Sequence, residues 1–182
     1  RHRRFQVYLS ADVCSFDRFW LFFGACAGKM LIFPFRSWQP DLYDQSSDST
    51  VMVLSGIMVK MGIFGMLRWL LPIFPEAVEK NDTIILIMCI IGILYGSIIA
   101  LSQTDLKRIV AWSSIAHIGL MGAGIFARNN TSLQGVMLEM LNHGINIIAL
   151  WIVVDIIEKK TGIRKISELG GLATKSSTLT TF

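Results

Sequence analysis

Charge is scarce in this sequence. Only 16% of the 182 residues are Asp, Glu, Lys or Arg, where soluble domains carry roughly 25%, which argues against a water-soluble globule. The net charge of +4 is small and scattered, and the densest basic cluster is Arg1-His2-Arg3-Arg4; no nucleic-acid partner is expected. The three cysteines, Cys14, Cys26 and Cys89, are far apart, with no Cys-x-x-Cys and no Cys/His spacing suited to zinc. They read as small buried hydrophobes, and no metal site is expected. Walker loops, Gly-x-Gly-x-x-Gly after a strand, His-Glu-x-x-His and Gly-x-Ser-x-Gly are all missing. Nothing in the chain is spaced to hold a flavin, haem or iron–sulfur cluster. No cleavable signal pattern is visible, and a start at Arg1 with a Ser/Thr-rich end at Phe182 predicts a fragment of a longer protein.

What the sequence does have is apolar blocks about as long as a bilayer is thick. Residues 1–18 are mixed in polarity with no helical period, and the apolar character begins at Phe19. That first block, FWLFFGACAGKMLIF, stops at Pro34, short of the roughly 20 residues one spanning helix needs. It predicts a broken helix, followed by a loop with one helical turn near Trp38–Leu42. Four cleaner spans follow at Val51–Leu71, Ile84–Leu101, Ile109–Phe126 and Leu133–Val154, with Thr131 or Ser132 as the expected N-cap of the last. Lysine and arginine concentrate in the 102–108 turn and the C-terminal tail, which are therefore expected on the cytoplasmic side. The Gly24/Gly28 and Gly92/Gly96 pairs have the spacing of close helix packing. The fold class expected is an all-α membrane protein with about five transmembrane segments, the first discontinuous.

Ionisable residues inside these blocks carry the functional signal. Lys60 lies about 13 Å along its helix from Val51 at 1.5 Å per residue, near the bilayer centre. A lysine there costs at least ~2.5 kcal/mol on insertion scales, so it needs a partner or water. Arg68, one turn from the helix end, can snorkel. Lys29 precedes the break, where it either closes a helix C-terminus or serves an ion or proton site beside freed backbone groups. On the last span Glu139, Asn142, His143 and Asn146 recur at three- and four-residue steps and form one polar stripe. That stripe is expected to face Lys60 and His117, either for helix–helix hydrogen bonding or as a proton relay. His117, with Ser113 and Ser114 one turn before it, is a weaker relay candidate.

The runs FFGACAGKMLIFPFRSWQPD, LSGIMVKMGIFGMLRWLLPIFPEA, IIGILYGSIIALSQTDLKRIVAWSSIAHIGLMGAGIFA, LQGVMLEMLNHGINIIAL and ISELGGLA resemble the subunit M (chain 4) family of NADH:quinone oxidoreductase, respiratory complex I. The resemblance covers residues 19–173 in order, corresponds to the family's seventh to eleventh transmembrane helices, and leaves 174–182 as the truncated start of a further helix. Residues 1–18 have no clear counterpart. The resemblance implies an antiporter-like bundle that translocates protons, with Lys29, Lys60 and His143 in the proton path and His117 and Glu139 as weaker members. It implies a multi-pass place in the bacterial cytoplasmic membrane beside other membrane-arm subunits. It also implies no redox centre on this chain, NADH, flavin, iron–sulfur clusters and quinone being bound by other subunits. Helices that complete the path lie outside the match, so the fragment alone is not expected to pump. Glu139 stands where the family pattern has Gln. Two rival readings are the D-type subunit of a multisubunit cation/proton antiporter and a nonfunctional membrane fragment.

Overall fold

The computed structural model describes residues 2–30, 32 and 38–169, with only the backbone described for residues 2–15. The described residues form six helices and no strand. These are α1 (His2–Met30), α2 (Trp38–Gln45), α3 (Asp48–Ile73), α4 (Pro75–Ser102), α5 (Leu106–Phe126) and α6 (Asn130–Thr161). Helices α3 to α6 are long and apolar enough to cross a membrane. The expected first, discontinuous segment falls on α1 and α2, which are not among these four, so four of the about five expected spans are found among the described residues. Helix α1 stops at Met30, and the Ile32 amide closes it by donating to Ala27 O at 3.2 Å. Helix resumes at Trp38, so one continuous helix from Phe19 to Tyr43 is ruled out. Leu31, Pro34, Arg36 and the predicted further helix at 174–182 lie outside the described residues.

Several boundaries move outward from the sequence expectation. Helix α1 reaches back to His2, because a segment without amphipathic period still holds good helix formers such as Arg, Gln, Leu and Ala. The turn expected near Trp38 is a full helix to Gln45. Helix α4 begins at Pro75, where proline's fixed φ suits the first helical position and Glu76 suits the positive end of the dipole. Only Phe74, with φ −123° and ψ 53°, separates it from α3. The N-cap of α6 is Asn129, not Thr131 or Ser132. Its side chain accepts from the Thr131 amide while the Ser132 hydroxyl receives the Asn129 amide, a reciprocal cap. The charged stretch from Asp155 continues α6 to Thr161, and Gly162 ends it at φ 69°, where a side chain would be strained.

Packing follows helical spacing. Phe19, Phe23, Ala27 and Met30 bury one face of α1 against Val59, Ile63, Met66 and Leu70 of α3 and Ile115, Ile118 and Met121 of α5. A second core joins Tyr43 of α2, Val51 of α3, Val110 and Ala111 of α5, and Ile147, Trp151 and Val154 of α6. The close approaches are not where the paired glycines predicted them. A Cβ at Gly24, Gly28 or Gly92 would meet nothing within 4 Å, whereas at Gly62 it would meet Met30 at 2.8 Å and at Gly119 it would meet Ile93 at 2.9 Å and Cys89 O at 3.2 Å. Of the predicted glycines only Gly96 packs closely, against Ala116.

The end expected to be cytoplasmic is tied by ions. Lys107, 3% exposed, is held by Asp48 at 2.6 Å and Glu158 at 2.8 Å, which joins α3, α5 and α6. Arg164 adds Glu158 at 2.6 Å and Asp44 at 3.6 Å, and Arg108 also reaches Asp44. At the opposite end Arg128 faces Glu79 and Asp82.

Two stability tests follow. Gly119→Val forces a branched side chain against Cys89 O and Ile93 and should cost about 1–3 kcal/mol, with a lowered thermal midpoint in detergent, whereas Gly24→Val should leave it in place. Lys107→Met strips two carboxylates of their shared cation. It should cost roughly 1–3 kcal/mol, against less than about 0.5 kcal/mol for the exposed Lys80→Met. Equal midpoints for Lys107→Met and Lys80→Met would remove the ion cluster from the account.

Candidate functional site

Helix α3 is not uniformly α-helical. Two turns, Leu54–Met58 and Met66–Leu70, are wound as π-helix, a distortion often found at functional sites. In the first, the Val59 amide reaches back to Leu54 O, so Ser55 O is not its acceptor. Lys60, 9% exposed, lies one residue past Val59 and donates from Nζ to Ser55 O at 2.7 Å. The local winding thus gives a mid-membrane ammonium an acceptor on its own helix. Charge on Lys60 is met by a carbonyl rather than a carboxylate, so among the described residues the ammonium is not locked into an ion pair.

Helix α6 runs past this lysine with a cavity on each flank. On one side Lys60 lines an apolar cavity of about 540 Å³ with Gly56, Phe64, Met140, Leu141 and Gly144. Gly144 packs beside the lysine stem, where a Cβ would make ordinary contact, 3.9 Å from Lys60 Cε and 3.7 Å from Gly56 O. On the other side Ser113, His117, Glu139, His143 and Asn146 line a more polar cavity of about 480 Å³. His143 is 6% exposed and lines this polar cavity, while the next residue, Gly144, lines the Lys60 cavity on the opposite flank. The His143 ring stacks on that of His117, centroids 5.2 Å apart and 24° from parallel. Nδ1 of His117 is 3.2 Å from Glu139 Oε1.

The expected stripe is brought together in part. Glu139, His143 and Asn146 line the cavity they share with His117, on the side of α6 packed toward α5, and His143 is buried. Asn142 is exposed and does not line either cavity, since its position leaves it on the far edge of the stripe from His143. Ser113 turns its hydroxyl onto Val110 O at 3.0 Å rather than onto His117. Lys29 occupies the last turn of α1, is exposed, and has its Cβ beside Gly62, two residues beyond Lys60. It belongs to the same level of the bundle but not to the histidine cavity.

Sequence reasoning missed two features. One is the Lys107–Asp48–Glu158 cluster, whose partners are far apart in the chain and unreadable from spacing. The other is that His117, Glu139 and His143 each place one metal-ligating atom within 4.8 Å of the others. Linear Cys/His spacing could not show a donor set assembled across α5 and α6.

Comparison with known proteins fits this architecture. The family model described as NADH:quinone oxidoreductase/Mrp antiporter, TM, matches residues 10–182. The chain is 36% identical to NADH-quinone oxidoreductase subunit M of Rickettsia typhi, over 90% of this chain and 33% of that one. It is 38% identical to the subunit M of Rhodobacter capsulatus, over 86% and 31%. Among solved structures, respiratory complex I from Thermus thermophilus superposes with a TM-score of 0.86 over 92% of this chain and 36% of that one, at 24% identity. The Mrp complex from Dietzia superposes at 0.80 over 86% and 29%, at 22% identity. The chain spans about a third of the length of the curated relatives it matches. With lysine, histidine and glutamate gathered inside a helix bundle of this shape, the chain belongs to the NADH:quinone oxidoreductase/Mrp antiporter family of membrane subunits.

Proposed function

We propose that this chain is part of a proton-translocating membrane-arm subunit of NADH:quinone oxidoreductase, in a bacterial cytoplasmic membrane. Protons pass along Lys60, His143, His117 and Glu139, and Lys29 links the path to the broken helix. NADH oxidation and quinone reduction take place on other subunits, and this chain carries no redox centre. The observation that supports this reading best is His143, buried on α6, stacked on His117 of the His117–Glu139 pair and next in sequence to Gly144, which lies beside Lys60. A relay needs groups that exchange protons without being locked as ion pairs, and Lys60 on a carbonyl satisfies that condition. Gaps too long for direct hydrogen bonds are bridged by water, for which the 480 Å³ cavity has room and polar partners. The resemblance to subunit M at 36–38% identity supports protons and NADH:quinone chemistry over other couplings.

A second reading, a subunit of a cation/proton antiporter, draws on the likeness to the Mrp complex. The two separate on the energy source. In membrane vesicles holding the complete complex, proton uptake that follows NADH oxidation supports the first reading. Uptake driven by an imposed sodium gradient without NADH supports the second. In the same vesicles Lys60→Ala should abolish most NADH-driven proton uptake while the complex still assembles and oxidises NADH. Glu139→Gln, at the partly exposed end of the path, should have a smaller effect. Unchanged uptake in a well-assembled Lys60→Ala complex would contradict the relay and leave a passive membrane scaffold as the better description.

A further inference from the structure

We infer that His117, Glu139 and His143 form a binding site for a divalent transition-metal ion of the zinc type. The inference uses side chains of the proposed relay, but the binding itself does not depend on proton transfer. Two imidazoles and a carboxylate are a ligand set that zinc accepts, with a fourth position left for water. The three side chains each bring a ligating atom within 4.8 Å of the others. The His117 Nδ1–Glu139 Oε1 separation is already 3.2 Å, close to the roughly 3.3 Å donor–donor edge of a tetrahedron with 2.0–2.1 Å bonds.

An independent observation comes from His143. It is 6% exposed, and its Nε2 is buried without a hydrogen-bond partner among the described residues. An unpaired ring nitrogen in such a place costs free energy that a metal–nitrogen bond removes. The remaining donors must close in by up to about 1.5 Å, from 4.8 Å to a tetrahedral edge, and the freedom for that lies on the right side chain. His143 is fixed by burial, whereas the His117 side chain is 53% exposed and can turn its ring edge toward the ion. Such a turn breaks the parallel stacking of the two rings. Water enters from the cavity lined by Ser113 and Asn146.

Where the relay reading holds, the ion occupies the lone pairs through which protons pass, and zinc arrests pumping. Binding alone gives the cleaner test. The full chain, purified in detergent, is equilibrated with zinc chloride, and bound metal is counted. Cobalt(II) then reports coordination through its visible absorption. The expected result is one zinc per chain and the intense d–d bands of a four- or five-coordinate ion. Glu139→Gln and His117→Gln, both on partly exposed side chains, should each weaken binding roughly tenfold or more with helical circular dichroism unchanged. His2→Gln, which removes the remaining histidine of the three, should retain it. Absence of stoichiometric binding, or binding that Glu139→Gln and His117→Gln leave intact, overturns the site. A chain that binds zinc in a complex whose pumping survives Lys60→Ala keeps the metal site and loses the relay, so the two failures are distinguishable.

Discussion

A lysine held in the middle of a hydrocarbon slab is the constraint from which the rest of this architecture follows. Removed from water, the Lys60 ammonium needs an acceptor within reach of its own stem, and the π-wound turn at Leu54–Met58 leaves Ser55 O for it. Gly56 and Gly144 line the cavity beside the stem between α3 and α6, with Gly56 closely packed on Ile148. On its other flank α6 presents His143 rather than hydrocarbon. The histidine in turn draws in His117 and Glu139 across the α5–α6 seam. Polar side chains of three helices therefore sit on the two flanks of α6, Lys60 on one and His143, His117 and Glu139 on the other.

Such an arrangement holds only if the helices keep their register. Two kinds of contact hold it. At mid-height, Gly62 seats α1 on α3 and Gly119 seats α5 on α4, each through an approach too close for a side chain. Dispersion contacts of this kind and interhelical polar contacts drive association in lipid, where the hydrophobic effect between helices is absent. At the predicted cytoplasmic end, Lys107 with Asp48 and Glu158 pins three helices with one ammonium. The contrast with Lys60 is instructive. One lysine is clamped between two carboxylates and fixes structure, whereas the other, among the described residues, rests on a backbone carbonyl.

Membrane helices with interior charges are legible in sequence because hydrocarbon makes each charge an exception. That is why the four spans, the interruption after Lys29 and the buried places of Lys60 and His143 could be read from the residues. Helix ends were less legible: Pro75, Asn129 and Gly162 set them further out, because interfacial polar residues continue a helix as readily as they end it. The paired glycines misled, since the spacing of Gly24 and Gly28 says nothing about whether a neighbour lies opposite. Nor could the chain sequence show the π-turn beneath Lys60 or the joint presence of His117, Glu139 and His143 at one point. The first is a winding choice imposed by packing, and the second depends on the relative register of α5 and α6.

The central claim is that Lys60 and His143 act in series on one proton path. The most direct measurement is a double-mutant cycle on protons translocated per NADH oxidised by the complete complex, with Lys60→Ala and His143→Ala made singly and together. Groups in series act as a unit, so the double variant should pump no worse than the poorer single variant. Losses that multiply would mean that the two residues serve separate routes, and the single path across α3, α6 and α5 would be wrong.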